Sequence, residues 1–226
     1  MNSPDAAPDL AASDLHLFDR GENFYAASVL PLSPDGPLVW GWATEGRSLD
    51  WCVEDGWSGA LTLPRRVGLR PDGSLASAPV AACASLRADQ HGRVVDGHLD
   101  GLPAQLEFAV EFPGAPAGPC RVRLRFGAEE YLDVTVDPAA GRVVVDRDHA
   151  SADPRADGGS CSASGLDGLR DGGSVRGFLD GSLLELFVPD GPALTVRLYP
   201  TTPPPWRVEV EGADGVRVRV WELTAA

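Results

Sequence analysis

The strongest constraint on the fold is a two-residue alternation of apolar and charged side chains after residue 100. Residues 106–112 read L-E-F-A-V-E-F and residues 120–126 read C-R-V-R-L-R-F, so each segment has an apolar face and a charged face. This period is typical of β-strands that bury one face. Further segments that read as strands lie at residues 131–136, 142–145, 174–179, 183–188, 193–199, 206–211 and 216–221. The pattern predicts two packed antiparallel sheets, a β-sandwich.

The N-terminal third is also built from short apolar segments, separated by turn residues. Four strands are predicted there, at residues 15–18, 24–32, 38–43 and 59–63, with S-P-D-G-P at 33–37 as the turn of a hairpin. Four strands in about fifty residues are the size of one blade of a β-propeller. The fold class predicted is therefore all-β.

Four regions follow from these patterns: a disordered tail at 1–13, a propeller blade at 14–70, a linker with a short helix at 71–90, and the sandwich at 91–226. Residues 79–88 are the best helix candidate, because Pro79 suits the first turn of a helix. Residues 153–173 are rich in Gly, Asp and Ser, and predict a long loop with little secondary structure.

Composition excludes several classes of function. The net charge of −14 argues against nucleic-acid binding, which needs basic surfaces. No apolar segment is long enough to span a membrane, and the N-terminus lacks the basic start and apolar stretch of a secretory signal. The expected location of this chain is therefore cytoplasmic.

Cysteine and histidine spacing gives no metal site. The four cysteines have no C-x-x-C pair, and the four histidines have no ligand spacing, so neither a metal nor another cofactor is expected. Two disulfides stay possible, but four unpaired and partly buried thiols are the preferred interpretation.

Acidic and aromatic residues are concentrated in the N-terminal region. They are Asp19, Glu22, Asp50, Glu54, Asp55, Trp40, Trp42, Trp51 and Trp57. Two carboxylates across a sugar would suit glycoside hydrolysis, and tryptophan rings can pack on sugar C–H groups. No carboxylate pair has a diagnostic spacing, however, and tryptophan in a strand is more often part of a core. Solvated carboxylates and core tryptophans therefore stay as the alternative.

Six ordered motifs resemble those of glycoside hydrolase family 32, which contains the β-fructosidases invertase, levanase, inulinase and sucrose-6-phosphate hydrolase. In the N-terminal region, D-R-G-E-N-F-Y-A at 19–26 resembles D-x-G-x-D-F-Y-A, W-G-W stands at 40–42, and G-W-S-G-A-L-T-L-P-R at 56–65 resembles G-W-x-G-x-L-x-L-P-R. In the sandwich, V-D-R at 145–147, D-G-S-L-L-E-L-F-V at 180–188 and R-L-Y-P at 197–200 resemble family strands, while residues 79–87 match the family linker only in part.

The resemblance implies a specific architecture, namely the final blade of a five-bladed β-propeller followed by a two-sheet antiparallel β-sandwich. It implies that the complete enzyme hydrolyses terminal β-D-fructofuranosyl residues of sucrose or fructans. The family's nucleophile, stabiliser and acid/base lie in N-D-P-N-G, R-D-P and E-C motifs, none of which occurs in this sequence. A retaining glycosidase needs both carboxylates, so no catalytic residue is assigned here and the chain alone is expected to be inactive. The parent enzyme could be secreted.

Three residues are carried over from the motifs as substrate-binding. By resemblance, Asp19 hydrogen-bonds fructosyl hydroxyls, and Tyr25 and Trp42 line the pocket beside it. Asn23 stands where the family commonly has Asp, which removes a charge, and Glu185 is expected to be structural.

A blade without its neighbours should expose apolar surface, here around Phe24, Val29, Leu38 and Trp40. The expected partners are a chain that supplies the missing blades or a second copy, with sucrose or fructan as ligand and no nucleic acid or membrane. The alternative function is a non-catalytic carbohydrate-binding or regulatory β-sandwich module, and a third is a structural remnant that binds no sugar.

Overall fold

The computed structural model describes residues 17–31, 33, 36–114, 118–170, 172–212 and 215–224, except for the side chains of 89–91. The tail predicted at 1–13 lies outside the described residues. The strands in chain order are β1 Phe24–Leu30, β2 Leu38–Ala43, β3 Ala60–Leu61, β4 Arg65–Leu69, β5 Leu75–Pro79, β6 Arg87–Arg93, β7 His98–Leu102, β8 Gln105–Phe112, β9 Cys120–Arg125, β10 Tyr131–Asp137, β11 Arg142–Asp146, β12 Ser160–Ser164, β13 Gly173–Asp180, β14 Leu183–Phe187, β15 Ala193–Arg197, β16 Trp206–Gly212 and β17 Arg217–Leu223. The helix α1 is Leu49–Asp55.

The N-terminal strands form one antiparallel sheet in the order β1-β2-β4-β5, with β3 paired to β2. We call this sheet, together with α1, the blade. The predicted hairpin of β1 and β2 is confirmed, and Phe24 pairs with Ala43 across it. The predicted strand at 59–63 shortens to two residues, and β4 and β5 were not predicted. The predicted strand at 15–18 begins outside the described residues.

The helix prediction for 79–88 was wrong. Only Ala81–Leu86 is helical there, as a 3-10 helix, and Arg87 already begins β6, which pairs with β17. Sheet pairing at this position outweighs the local helical signal. The α-helix is α1 instead, which Ser48 caps by accepting a hydrogen bond from the N–H of Trp51. Gly56, in the left-handed region with φ of 75°, ends it.

The C-terminal strands form the predicted sandwich of two six-stranded antiparallel sheets. One sheet has the order β12-β11-β10-β9-β16-β7 and the other β15-β14-β13-β8-β17-β6. All nine strands predicted after residue 100 are present. The segment 153–173, predicted as a long loop with little secondary structure, contains the strand β12, which pairs with β11, and a 3-10 turn at Asp167–Leu169. The small side chains of this edge strand carry no apolar alternation.

A single apolar core lies between the two sandwich sheets and includes Phe108, Leu124, Leu132 and Val196. All four cysteines are free thiols in this structure, and Cys52, Cys83 and Cys120 are buried. Burial raises the pKa of Cys120 to about 11. No helix in the described part of the chain is long and apolar enough to cross a membrane.

Candidate functional site

Asp19 lies buried between the blade and the sandwich, with a side chain only 2% exposed. Its Oδ1 accepts hydrogen bonds from the N–H groups of Gly21 (2.7 Å) and Thr195 (2.9 Å). Its Oδ2 accepts from the Thr195 hydroxyl (2.6 Å) and from Arg65 Nη1 (2.7 Å). These four donors occupy the carboxylate at the junction, so its role towards a sugar stays a prediction.

Arg65 completes this buried cluster and is itself fully buried. It donates from Nη2 to Glu185 Oε2 (2.5 Å) and to Thr195 Oγ1 (2.6 Å). Its guanidinium lies 4.8 Å from the ring centroid of Phe24 and 5.2 Å from that of Phe187. Three sequence motifs, around residues 19, 65 and 185, thus meet in one ion cluster that joins blade to sandwich.

A second polar cluster at the junction is centred on Glu45. Its carboxylate accepts hydrogen bonds from the Tyr199 hydroxyl (2.5 Å), Arg47 Nε (2.9 Å), Arg197 Nη2 (3.3 Å) and the N–H of Gly59. Burial opposes ionisation of Glu45, but these donors and the charge of Arg197 outweigh it and lower the pKa of the carboxyl. The cluster is therefore charged at neutral pH.

Aromatic rings enclose the cation of this second cluster. The Arg47 guanidinium lies 4.3 Å from the ring centroid of Trp57 and 4.9 Å from that of Tyr199, and it also contacts the carboxylate of Asp55. The side chain of Arg47 is only 1% exposed. A cleft of about 440 Å³ beside Trp57 separates the blade from the turn at Gly181. We did not predict Glu45 or Arg47 from the sequence, because neither stands in a motif.

The predicted pair Tyr25 and Trp42 is brought together on the surface of the blade. They are register partners across β1 and β2, with ring centroids 6.5 Å apart and exposures of 62% and 44%. A bulge follows Tyr25, where Ala26 takes a positive φ of 47°. A Cβ atom at Gly59 would lie 1.7 Å from Trp42 Nε1, so glycine there is required for the position of the indole. These two rings offer an accessible apolar surface. The Asp19 carboxylate, by contrast, is buried and hydrogen-bonded between the blade and the sandwich.

Three of the four other acidic candidates, Glu22, Glu54 and Asp55, pair with an arginine. Glu22 contacts Arg147, and Glu54 contacts Arg155 with 2.8 Å between Oε2 and Nη1. Asn23 is uncharged, and its Oδ1 accepts a hydrogen bond from the backbone N–H of Arg197 (2.9 Å). Among the described residues, no group of three His, Cys, Asp or Glu side chains is arranged to hold a metal ion.

Exposed apolar side chains are concentrated on the blade. Of the twelve large apolar side chains exposed in the described structure, eleven lie between Leu17 and Leu75, and the twelfth is Val95. Val29 of the predicted patch is 59% exposed, whereas Phe24, Leu38 and Trp40 are half-buried. Leu38 packs against a small cluster at the junction, so the exposed surface lies around Tyr25, Val29, Trp42 and Leu61 instead.

Comparison with known proteins places both parts of this architecture in one family. The model for the C-terminal domain of glycosyl hydrolases family 32 matches residues 82–222, and the model for its N-terminal domain matches residues 3–79. A raffinose invertase of Escherichia coli is 32% identical over 199 residues, which cover 80% of this chain and 38% of that protein. A sucrose-6-phosphate hydrolase of Zymomonas mobilis is 24% identical over 200 residues, covering 83% of this chain and 37% of the relative. The chain thus spans less than two-fifths of these curated relatives.

Solved structures show the same fold. The exo-inulinase of Aspergillus awamori superposes with a TM-score of 0.78 at 18% identity, covering 100% of this chain and 48% of that one. Fructan 1-exohydrolase IIa of Cichorium intybus, solved in complex with 1-kestose, has a TM-score of 0.71 at 18% identity over 92% of this chain and 49% of its own.

Proposed function

The chain belongs to glycoside hydrolase family 32, and we propose that it is the C-terminal portion of a β-fructofuranosidase-type enzyme. The complete enzyme would hydrolyse terminal β-D-fructofuranosyl residues of sucrose or fructans. The observation that carries this proposal is the match of both family models, in order, over residues 3–79 and 82–222. A relative solved with 1-kestose supports a fructosyl substrate.

In this proposal the chain supplies binding surface and support, and the chemistry comes from a region that precedes the blade. Retaining hydrolysis needs one carboxylate to attack the anomeric carbon and one to protonate the leaving oxygen. Asp19 and Glu185, the two carboxylates that the motifs bring to the junction, are both bound to Arg65. Such paired carboxylates are poorly suited to either role.

Tyr25 and Trp42 are proposed as one edge of the sugar site. Their exposed rings can pack against the C–H groups of a fructosyl unit. The proposed partner is the chain that carries the remaining propeller blades, which would cover the apolar surface around Val29 and Leu61. Self-association of two copies is the competing way to cover it.

Sucrose hydrolysis by the purified chain tests the catalytic part of this proposal. We expect no release of glucose or fructose above a buffer control, at any pH from 4 to 8. The DNA upstream of the sequence that encodes this chain should encode the N-D-P-N-G, R-D-P and E-C motifs. Co-expression of the polypeptide with these motifs should restore hydrolysis. Hydrolysis by the chain alone would overturn the assignment of the chemistry to another region.

Calorimetry with fructose, sucrose and levan tests the binding part. Binding by the chain alone would favour the non-catalytic carbohydrate-binding module, and we expect Trp42→Ala to abolish it if the ring pair forms the site. Leu69→Ala, at another exposed apolar position on the same sheet, is the matched control. If levan binds and Trp42→Ala leaves its affinity unchanged, the ring pair is not the sugar surface.

A further inference from the structure

One end of the sandwich carries a cavity lined by three arginines. It has a volume of about 420 Å³, and its charged lining consists of Arg93, Glu111, Arg217 and Arg219. The remaining lining is apolar or glycine: Val94, Gly97, Val210, Gly212, Val216 and Val218. Three guanidiniums against one carboxylate give a net positive site in a chain with a net charge of −14.

Backbone hydrogen bonds hold the walls of this cavity in place. β6 and β7 are joined by a tight turn in which Val95 and His98 exchange two N–H to C=O hydrogen bonds of 3.2 and 3.1 Å. Gly97, just before β7, accepts a bond of 2.7 Å from the N–H of Val210 on the neighbouring strand β16. The arginines therefore project from strands and a turn that are fixed before any ligand arrives.

The strand register places the arginines against one another. Arg93 and Arg219 are direct partners across β6 and β17, and Arg217 lies two residues along the same strand, on the same face. Directly opposed like charges destabilise a sheet. A bound anion between the strands would remove this repulsion.

Few of the guanidinium donors are used. Arg219 contacts Glu111 through Nη2, but its Nε is buried without an acceptor within the described residues. In the same described part of the chain, the guanidiniums of Arg93 and Arg217 have neither an ion pair nor a hydrogen bond. The buried Nε of Arg219 is unfavourable as it stands, because it has lost its hydrogen bond to water. Arg93 and Arg217 are exposed, so their donors are accessible to a ligand from solvent.

We propose that this cluster, Arg93, Arg217 and Arg219, binds a small oxyanion, namely the phosphate or carboxylate group of a small molecule. The planar guanidinium is the side chain best suited to bind both groups, since its donors match two oxygens at once. The volume suits a small ligand rather than a chain segment. This site is separate from the ring pair Tyr25–Trp42 and does not depend on the proposed function.

Titration calorimetry on the full chain, at constant ionic strength, tests the proposal. The probes are inorganic phosphate and citrate, each replacing chloride. We expect saturable binding of at least one of them, weakened tenfold or more in Arg93→Gln and in Arg217→Gln. Glu111→Gln should tighten binding, because it removes the competing carboxylate. Binding of phosphate but not citrate would show that the site accepts phosphate groups. Binding of citrate but not phosphate would show that it accepts carboxylates.

Arg142→Gln is the matched control, because it removes the same charge from an exposed position on β11 of the other sheet. Its affinity should equal that of the unaltered chain, and circular dichroism should show all four variants folded. No saturable binding of either probe to the unaltered chain overturns the proposal. Equal weakening in Arg142→Gln and Arg93→Gln does so as well, since only net charge would then matter.

Discussion

The blade and the sandwich differ in what they bury. Thirty buried apolar side chains, from Leu102 to Val220, form one core in the sandwich. In the described residues before Val80, only Val39, Ala43 and Cys52 are buried apolar side chains. Six buried polar or charged side chains lie in the same region: Asp19, Asn23, Arg47, Thr62, Arg65 and Ser77.

The sandwich is therefore stabilised by its own core, whereas the blade depends on its neighbours. Towards the sandwich it is bound by hydrogen bonds and ion pairs, and elsewhere it leaves Val29 and Leu61 exposed. A buried charge cluster is directional, so it sets the position of the blade more than it adds stability. Apolar burial, by contrast, stabilises in proportion to area.

Removing the cation of the junction should have the largest effect. Arg65→Met leaves Asp19 and Glu185 buried without a cation to balance their charges, and we expect it to lower the free energy of unfolding by about 3–5 kcal/mol. Urea denaturation, followed by tryptophan fluorescence, measures this change.

Arg66→Met is the control for that variant, since Arg66 is the exposed neighbour on the same strand. Combining Arg65→Met with Asp19→Asn and Glu185→Gln should recover part of the loss, because no charge is then left buried. A loss below about 1 kcal/mol for Arg65→Met would show that the blade is not bound through this cluster.

Truncation in the sandwich core comes next. Leu132 is fully buried between the sheets, and Leu132→Ala should cost about 2–5 kcal/mol through lost burial and a cavity. Leu69→Ala on the blade removes the same atoms from a side chain that is 76% exposed, and should change stability by less than about 0.5 kcal/mol. Similar losses at both positions, measured by denaturation, would contradict the contrast between the two regions.

The pH dependence of the junction is a smaller effect. The pKa of Glu45 in the folded chain is lowered below its ordinary value of 4.5, so the stabilisation from this carboxylate is present above that value and lost as the pH falls through the folded pKa. At pH 7, Glu45→Gln should cost about 1–3 kcal/mol, because bonds to a charged acceptor are lost. Denaturation at pH 7 and at lower pH should show this difference shrinking on acidification. A difference that stays constant with pH would assign the effect to packing alone, and Glu129→Gln at an exposed site is the control.

The sandwich could be predicted from the sequence because its strands alternate between core and solvent. The edge strand β12 lacks that signal, because it contains only Ser, Cys and Ala. The helix α1 has a single buried residue, Cys52, and is held by its caps rather than by an apolar face. Its existence depends on Ser48 and Gly56, which a periodic pattern does not reveal.

The junction was predictable only where a motif marked it. Asp19, Tyr25 and Trp42 stand in motifs, but the motif did not show that the Asp19 carboxylate would bind Arg65 and Thr195. Glu45 was not found, because its partner Tyr199 is 154 residues away along the chain. Such pairs become visible only once the sheets are packed.

The smallest effect on stability, and the most specific to the blade, is expected at its exposed apolar surface. Val29→Ser should change the free energy of unfolding by less than about 0.5 kcal/mol, since Val29 is 59% exposed and more than half of its surface is already in water. Light scattering at increasing concentration should nevertheless show less self-association than for the unaltered chain, because an apolar contact between copies is lost. Val95→Ser, at the exposed apolar position of the sandwich, should leave association unchanged. If both variants reduce association equally, general hydrophobicity drives it and the blade surface has no special role.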